Sequence, residues 1–366
     1  MKKKATTLSD LARAADVSVS TVSRIATGSA SVSPEIEKRV RNIASSLGIE
    51  LCTTCKSRTV AFVLSNRPML HPYHSRVLCG AEAYCALQGY KLLFISLSYP
   101  LNAGRRELHL PQLTGSRRAV CGYIISGTNS PGLLDLLNRK TVPFAVLGNN
   151  VVGDWRSQDY NVVWDDDVQG TYDAIRYLQV LGHQAIWFVG NCQLPWFSRC
   201  YAGYSRAMLE ASLAPRLEDV GLENMEEEGY LATKSILGRN DSASAIFTGS
   251  TTAAYGTYRA LKDAGLRIPD DISVAAVGEC EPAMLDPPLT TAREFPEQTG
   301  RNLARLLLNS LANPDLGPQQ TVIPTQLVKR ESCGQPSGAR PPRPETGAQL
   351  HESSTGTRAN GGVHDL

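Results

Sequence analysis

Three short helical patterns joined by tight connections occupy residues 7–47, and they constrain this chain more than any other feature. Thr7 and Asp10 have the spacing of a capping box, after which Leu and Ala residues fall on one face of a first helix. A short turn follows, and Ser18 can cap a second helix over residues 19–26. The segment therefore begins with two helices joined by a tight turn.

The second helix has the composition expected of a helix that enters a DNA groove. Val22 and Ile25 are predicted to face inward, while the outward positions carry small side chains and Arg24. A third helix is predicted to begin with Ser33 as its cap and Pro34 at its first position. Two helices of this kind, supported by a third, suit the major groove of DNA. The pattern indicates a helix-turn-helix head.

Local charge agrees with a nucleic-acid partner. Up to Arg58 the chain has ten Lys and Arg against five Asp and Glu, a net charge of about +5. The whole chain carries +2, so the remainder is about −3. Positive charge is thus concentrated where a phosphate backbone would lie. The alternative interpretation is a small three-helix bundle with an ordinary solvated basic face.

Several segments resemble the lactose-repressor family of bacterial transcription regulators. The similarity covers roughly residues 7–331, and its order and spacing are more specific than any single string. The matching segments are Val17–Arg24, Leu181–Ile186, Ala202–Tyr204, Asp271–Val274, Pro287–Thr291 and Leu327–Arg330. The resemblance implies a homodimeric repressor that binds a double-stranded DNA operator and responds to a small-molecule effector. The residues expected to contact DNA are Leu8, Ser18, Val19, Ser20, Thr21, Ser23, Arg24, Thr27 and Ser31.

Beyond the head, short apolar runs typical of buried strands alternate with helical stretches up to about residue 326. Such alternation favours parallel sheets covered by helices, and the number of elements is too large for one sheet. The expected fold is a small all-α head plus a two-lobed α/β domain like a periplasmic binding protein. The predicted divisions are a head at 1–48, a linker at 49–58, two lobes at 59–331 with crossovers near 164 and 292, and a disordered Pro/Gly/Ser-rich tail at 332–366.

An effector cleft is expected between the lobes at the carboxyl ends of the strands. Its expected residues are Tyr73, Trp196, Phe197, Arg199, Cys200, Ser250 and Glu279. The family's sugar-binding Arg is replaced by Cys200, and Asp positions are replaced by Gly148 and Gly278. Since a buried polar ligand needs fixed hydrogen-bond partners, a conventional sugar is doubtful and a less polar or aromatic ligand is favoured.

The linker also departs from the family. It is several residues shorter than expected and lacks the family's hinge helix, which inserts a leucine into the minor groove and kinks the operator. Leu51 is the one candidate for that wedge, in a Thr- and Cys-rich segment that forms helix poorly. The sequence predicts weak bending of the operator. A decaying paralogue with a defective hinge, or a regulator that has lost its response to an inducer, remains an alternative.

Other function classes receive less support. No P-loop, His-Glu-x-x-His motif or grouping of acid, base and nucleophile is present, so neither an enzyme nor a cofactor is expected. Asp165-Asp166-Asp167 is better explained by carboxylates at a helix start than by a metal site. Cys52 and Cys55 form a lone CxxC, interpreted as two incidental thiols, with a redox pair as the alternative.

Location follows from the same evidence. No apolar run is long enough to span a membrane, and no signal peptide follows the basic start, so we expect a cytoplasmic protein. A solute-binding protein without a DNA role is the competing class; the missing signal peptide and the intact head count against it.

Overall fold

The structure is a computed structural model that describes residues 7–27, 32–47, 58–68, 71–102, 108, 120–239 and 243–337. The chain forms one compact unit that extends to Pro336. The predictions made for Ser31, for the linker at 49–57 and for the tail after residue 337 lie outside the described residues. None of the described helices is long and apolar enough to cross a membrane.

The head consists of three helices, as the sequence predicts: α1 Leu8–Ala14, α2 Val19–Thr27 and α3 Pro34–Ser46. The capping box is confirmed, because the Thr7 side chain accepts from the Asp10 amide and the Asp10 carboxylate accepts from the Thr7 amide. Asp16 adopts a left-handed φ of 50° in the turn between the first two helices. A small apolar core joins the helices: Leu11, Ala12, Ala15, Val22, Ile25, Val40 and Ala44.

The remainder folds into two lobes, each built on a six-stranded sheet. The first sheet is parallel, with the order β11-β5-β4-β3-β1-β2. The second has the order β12-β10-β9-β8-β6-β7, in which β12 alone is antiparallel to its neighbour. The strands are β1 Thr59–Ser65, β2 Lys91–Leu97, β3 Gly122–Gly127, β4 Phe144–Leu147, β5 Asn161–Asp165, β6 Ile186–Val189, β7 Arg216–Glu218, β8 Ala245–Thr248, β9 Ser273–Val277, β10 Thr290–Arg293, β11 Gln320–Ile323 and β12 Gln326–Val328.

Helices cover the sheets, which explains the nearly continuous apolar runs of the central strands. Helices α4 and α10 pack against the first sheet, and α6 packs against β9, β10 and β12 of the second. The helices after the head are α4 Pro72–Leu87, α5 Pro131–Arg139, α6 Asp167–Val180, α7 Pro195–Glu210, α8 Met225–Leu237, α9 Thr251–Asp263 and α10 Pro296–Ala312. The helix and strand types predicted from the sequence are confirmed in this part of the chain.

The chain passes between the two lobes three times. It leaves the first sheet after β5, near residue 165, and returns after β10, near residue 293. A third passage joins β11 to β12 through residues 324–325, and the sequence did not predict it. Three crossing segments fix how the carboxyl ends of the two sheets face each other, and this is where a cleft forms.

The folded unit also extends beyond residue 332, where the sequence predicts the tail to begin. Ser332 is fully buried and donates to the Val274 carbonyl of β9. The Gly334 carbonyl lies 2.9 Å from His183 Nε2, while Ser244 Oγ lies 3.0 Å from the other ring nitrogen. His183 is thus a buried structural residue whose hydrogen bonds connect the end of the folded unit to the second lobe. The predicted start of the tail at residue 332 is therefore too early.

Helices α4 and α10 approach each other through two glycines. A Cβ at Gly80 would lie 2.0 Å from the Glu297 carbonyl oxygen, and one at Gly300 would lie 1.9 Å from the Val77 oxygen. Each helix therefore places bare backbone against the other, which no larger residue permits. This close crossing fixes the first turns of both helices at the edge of the cleft.

Candidate functional site

The first candidate site is the outer face of α2. Val22 and Ile25 are buried in the core of the head, as predicted, whereas Val19 is 48% exposed and Ser20 and Arg24 are exposed. The helix thus separates an apolar inner face from an outer face of small side chains and one guanidinium. Such a face can approach the base edges of a major groove without steric obstruction.

Ser18 organises the start of this helix. Its hydroxyl accepts from the Thr21 amide at 3.0 Å, which satisfies one of the free donors at the helix start. The same oxygen lies 2.7 Å from Ser20 Oγ and 2.8 Å from Thr21 Oγ1. The three hydroxyls are therefore clustered at the positively polarised end of the helix, where phosphate oxygens bind readily.

Four further residues are predicted to contact DNA. Leu8 is 43% exposed at the start of α1, and Ser23 is half-buried on α2. Thr27 is the last residue of α2, and Ser31 lies outside the described residues. The exposure of Leu8 is compatible with DNA contact, and the individual contacts remain predictions.

The second candidate site is a cavity between the lobes of about 900 Å³, including its open mouth. Its walls come from the segments that follow β1, β4, β5, β8, β9 and β10, and from the first turns of α4 and α7. The carboxyl ends of both sheets therefore face the same space, the usual position of a ligand in an open α/β fold.

Four carboxyl side chains line this cavity: Asp165 and Asp167 at the end of β5, Glu279 after β9 and Glu294 after β10. The Asp165 carboxylate accepts from the Tyr73 hydroxyl and, at 2.6 Å, from the Thr299 hydroxyl. Burial raises the pKa of Asp165 to about 6. Burial also raises the pKa of Glu294 well above its usual value, and the charges of both aspartates add to that effect.

Asp167 is the carboxylate with the most partners. Arg199 Nη2 lies 2.7 Å from it, and Asn149 donates to it at 2.8 Å. Burial raises the pKa of Asp167, and the charge of Arg199 opposes that rise. Asp166 points elsewhere and accepts from the Gln169 amide as the N-cap of α6. The helix-start interpretation of the three aspartates is thus confirmed for Asp166, whereas Asp165 and Asp167 face the cavity.

Two imidazoles and a guanidinium stacked on an aromatic ring also line the cavity. Arg67 lies over the Trp196 ring at 4.1 Å and donates to Thr128 Oγ1, and burial lowers its pKa to about 10. Burial and the Arg67 charge lower the pKa of His71 to about 4. His74 is buried between Ser126 and Asn150. Both imidazoles are therefore neutral at pH 7.

Ion pairs cross the cleft from one lobe to the other. Arg76, on α4 of the first lobe, pairs with Glu279, which follows β9 in the second lobe. Arg293 also pairs with Glu279, at 2.5 Å, and Arg76 pairs with Glu297 at 2.6 Å. Glu279 is thus held by two guanidiniums, and the network links the lobes directly.

The seven predicted ligand residues do not all line the cavity. Five line the cavity: Tyr73, Trp196, Cys200, Ser250 and Glu279. Phe197 is wrong as a ligand contact, because it is fully buried in the core of the second lobe and packs against Gly190 and Gly249. Arg199 does not line the cavity either, because it turns toward Asp167 and lies 4.9 Å from the centre of the Trp164 ring.

The sequence missed most of the polar groups of the cleft. Asn149, Asn150, Asp165, Asp167 and Glu294 all follow a strand within a few residues, and attention to polar residues at strand ends could have found them. The cleft therefore contains polar groups from positions other than the lost Arg and Asp anchors, and the expectation of a less polar or aromatic ligand stays a prediction. Among the described residues, no three His, Cys, Asp or Glu side chains are grouped to hold a metal ion.

Comparison with known proteins finds matches for the head and for part of the lobes. Residues 7–49 match the family described as bacterial regulatory proteins, lacI family, and residues 175–333 match the periplasmic binding protein-like domain. The ribose operon repressor of Haemophilus influenzae is 28% identical over 337 residues, which cover 89% of this chain and 98% of that protein. The transcriptional repressor PurR of Vibrio campbellii is 29% identical over 340 residues, with the same coverage.

Solved structures give the same result for the fold. A complex of the transcriptional regulator CelR with cellobiose aligns with a TM-score of 0.65 at 24% identity, over 89% of this chain and 99% of that one. The lac repressor dimer bound to operator and an anti-inducer aligns with a TM-score of 0.65 at 22% identity, over 90% and 100%. The chain thus combines a helix-turn-helix head that matches the lacI family of bacterial regulatory proteins with a periplasmic-binding-protein-like domain behind it.

Proposed function

We propose that this protein is a transcriptional repressor that binds operator DNA as a homodimer and that a small molecule in the interlobe cleft changes this binding. The observation that carries the proposal is the outer face of α2, where Val19, Ser20 and Arg24 are exposed on a helix held by its apolar side. Relatives named as repressors span the same length of chain, head and lobes together.

The DNA step divides between base contacts and phosphate contacts. Val19, Ser20 and Arg24 project from the outer face and are assigned to base edges, since a guanidinium can donate two hydrogen bonds to guanine. Thr21 and Ser23 lie closer to the core and are assigned to phosphates. Two heads in a dimer would read two half-sites related by twofold symmetry.

The cleft supplies the regulatory step. The lobes are connected by the Arg76–Glu279 pair and by the Arg67–Trp196 stack, and all four residues line the cavity. A ligand that binds between the lobes changes their closure only to the extent that it prefers one arrangement over the other. Catalysis is not part of the proposal, since Asp165, Asp167 and Glu279 are held by structural partners.

Selection from a pool of random duplexes with the full-length protein tests the DNA role. We expect enrichment of a sequence with two symmetric half-sites, and we expect it to vanish when Val19, Ser20 and Arg24 are all changed to Ala. The matched control changes Arg13 to Ala, which removes a charge from an 83% exposed side chain on α1. No enrichment with the wild-type protein would contradict the proposal. Enrichment that no cleft ligand alters would indicate a repressor without an effector response.

A further inference from the structure

The carboxyl of Glu294 differs from those of Asp165 and Asp167 in the number of its partners. Asp167 has Arg199 and Asn149 as partners, and Asp165 has the hydroxyls of Tyr73 and Thr299. Within the described residues, Glu294 makes no hydrogen bond and no ion pair, although it lines the cavity. The charged groups that act on it most strongly are the two aspartates, which repel a negative charge.

The nearby guanidiniums are engaged elsewhere. Arg199 is held by Asp167, and Arg293 and Arg76 are held by Glu279. Arg67 is stacked on the Trp196 ring. The cavity therefore contains a carboxyl that lacks a counter-charge in a region where two further carboxyls already lie. Glu294 is half-buried, and a ligand in the cavity can provide the counter-charge that it lacks.

The rest of the wall defines the remainder of the ligand. Trp196, Met225 and Val277 present apolar surface to the same cavity, and Tyr73 adds an aromatic face. A metal ion does not suit this arrangement, since the described residues hold no group of three ligand side chains arranged around a point. The four carboxyls of the cavity disfavour an anion.

We propose that the cleft binds a small organic cation, a protonated amine attached to an apolar body, with the ammonium group placed between Glu294 and Asp165. The inference rests on the proposed function, because it names the effector class of that same cleft. A neutral sugar could donate hydroxyl hydrogens to these carboxyls, but it would leave Glu294 without a counter-charge.

Binding should release a proton near pH 7. The raised pKa of Glu294 favours its protonated form in the empty cleft, whereas an ammonium beside it favours the ionised form. The titratable and charged groups that line the same cavity or hold its carboxyls are Tyr73, His71, His74, Arg67, Arg76, Cys200, Glu279, Asp165, and Asp167 with Arg199. The pKa values of Asp165 and Asp167 are raised as well, and Asp167 is already paired with Arg199.

The test uses amines paired with alcohols of the same shape: tyramine with tyrosol, putrescine with 1,4-butanediol and galactosamine with galactose. Isothermal titration of the full-length protein should show, in at least one pair, an amine that binds about tenfold or more tightly than its alcohol. Repeating the titration in buffers of different ionisation enthalpy should reveal proton release. No preference for the amine in any pair, or no amine binding up to about 10 mM, would overturn the proposal.

Two variants test whether the preference for the amine depends on Glu294. Glu294→Gln should abolish the preference for the amine and the proton release while leaving the alcohol's affinity unchanged. Glu82→Gln, which neutralises an exposed carboxylate on α4, is the matched control and should change neither. A preference that persists in Glu294→Gln would also overturn the proposal. Duplex binding by the same samples separates the two proposals: intact DNA selectivity without amine binding removes the ligand class alone, and the reverse removes the DNA role.

Discussion

The head and the cleft place charge in opposite environments. In the head, cations lie in water on helices held by a small apolar core, and the Arg13–Asp10 pair is 3.8 Å apart with both side chains well exposed. In the cleft, the Asp167 side chain is only 2% exposed and pairs with Arg199 at 2.7 Å. Charge in the head is therefore available to a partner, whereas charge in the cleft must be compensated within the protein.

This difference separates two kinds of specificity. Exposed charges are screened by salt and attract a polyanion without much geometric demand. Burial raises the pKa of a carboxyl that has no counter-charge, and it does so at Asp165 and Glu294. The head can thus bind many duplexes weakly and select by its base contacts, while the cleft selects by charge and shape together.

The largest expected effect concerns Phe197, which the sequence places in the cleft and the structure places in the core. Phe197→Ala should lower the free energy of unfolding by about 3–5 kcal/mol, because it empties a fully buried site. Trp196→Ala, at the neighbouring half-buried position, should cost about 1–2 kcal/mol through the lost stack with Arg67. Urea denaturation measures both, and equal effects would contradict the assignment of Phe197 to the core.

The two ion pairs provide the next test. Arg199→Ala should destabilise the protein by about 3 kcal/mol, because it leaves the buried Asp167 carboxylate without its cation. Arg13→Ala should cost about 0.5 kcal/mol or less, because its pair with Asp10 is exposed. Comparison of the two variants in the same denaturation experiment measures the difference between the regions. Similar losses would show that burial does not distinguish them.

Arg24→Ala should weaken specific DNA binding by about 1–3 kcal/mol, as loss of a base contact does. Lys4→Ala, which lies outside the described residues, should weaken binding to all duplexes alike and reduce the dependence of affinity on salt. Gel-shift titrations with the selected duplex and a scrambled one separate these results. Unchanged affinities in Arg24→Ala would show that the outer face of α2 does not read DNA.

The pH dependence of stability should differ in sign between two groups of the cleft. Burial lowers the pKa of His71 from 6.5 to about 4, so the unfolded chain binds more protons in that interval and stability falls as the pH falls. Burial raises the pKa of Asp165 from 3.8 to about 6, so its contribution to stability falls as the pH rises through that range. His71→Gln should therefore gain stability relative to wild type between pH 7 and pH 4. A constant difference across that range, in denaturation series at each pH, would contradict this assignment.

The smallest effect is expected in the linker, outside the described residues. The sequence from Ile49 to Ser57 offers few strong helix formers, and a helix of one or two turns is marginal alone. We therefore expect little bending of the operator and almost no change in bending for Leu51→Ala. Fluorescence transfer between the ends of a labelled duplex measures the bend. A strong kink that disappears in Leu51→Ala would show that the short linker folds into a hinge.

Local sequence rules predicted the elements of this protein well. The Thr7–Asp10 capping box, the Ser33–Pro34 start of α3 and the buried run that forms β1 each depend on residues within one turn or one strand. The inward positions of Val22 and Ile25 follow from helical periodicity in the same way. Short-range physics is sufficient for these features, because the competing alternatives are few.

The sequence by itself determined a helix-turn-helix head, alternating strands and helices, and the edge of the sheets where a cleft would lie. Tertiary structure alone decided the contents of that cleft: Asp165 meets Thr299 across 134 residues of chain, and Arg76 meets Glu279 across 203. A one-residue offset directed Arg199 to Asp167, and a short segment with exposed positions became the antiparallel strand β12. The reason is physical: a side chain's charge state and partners depend on which distant segments remove it from water, and no local pattern encodes that proximity.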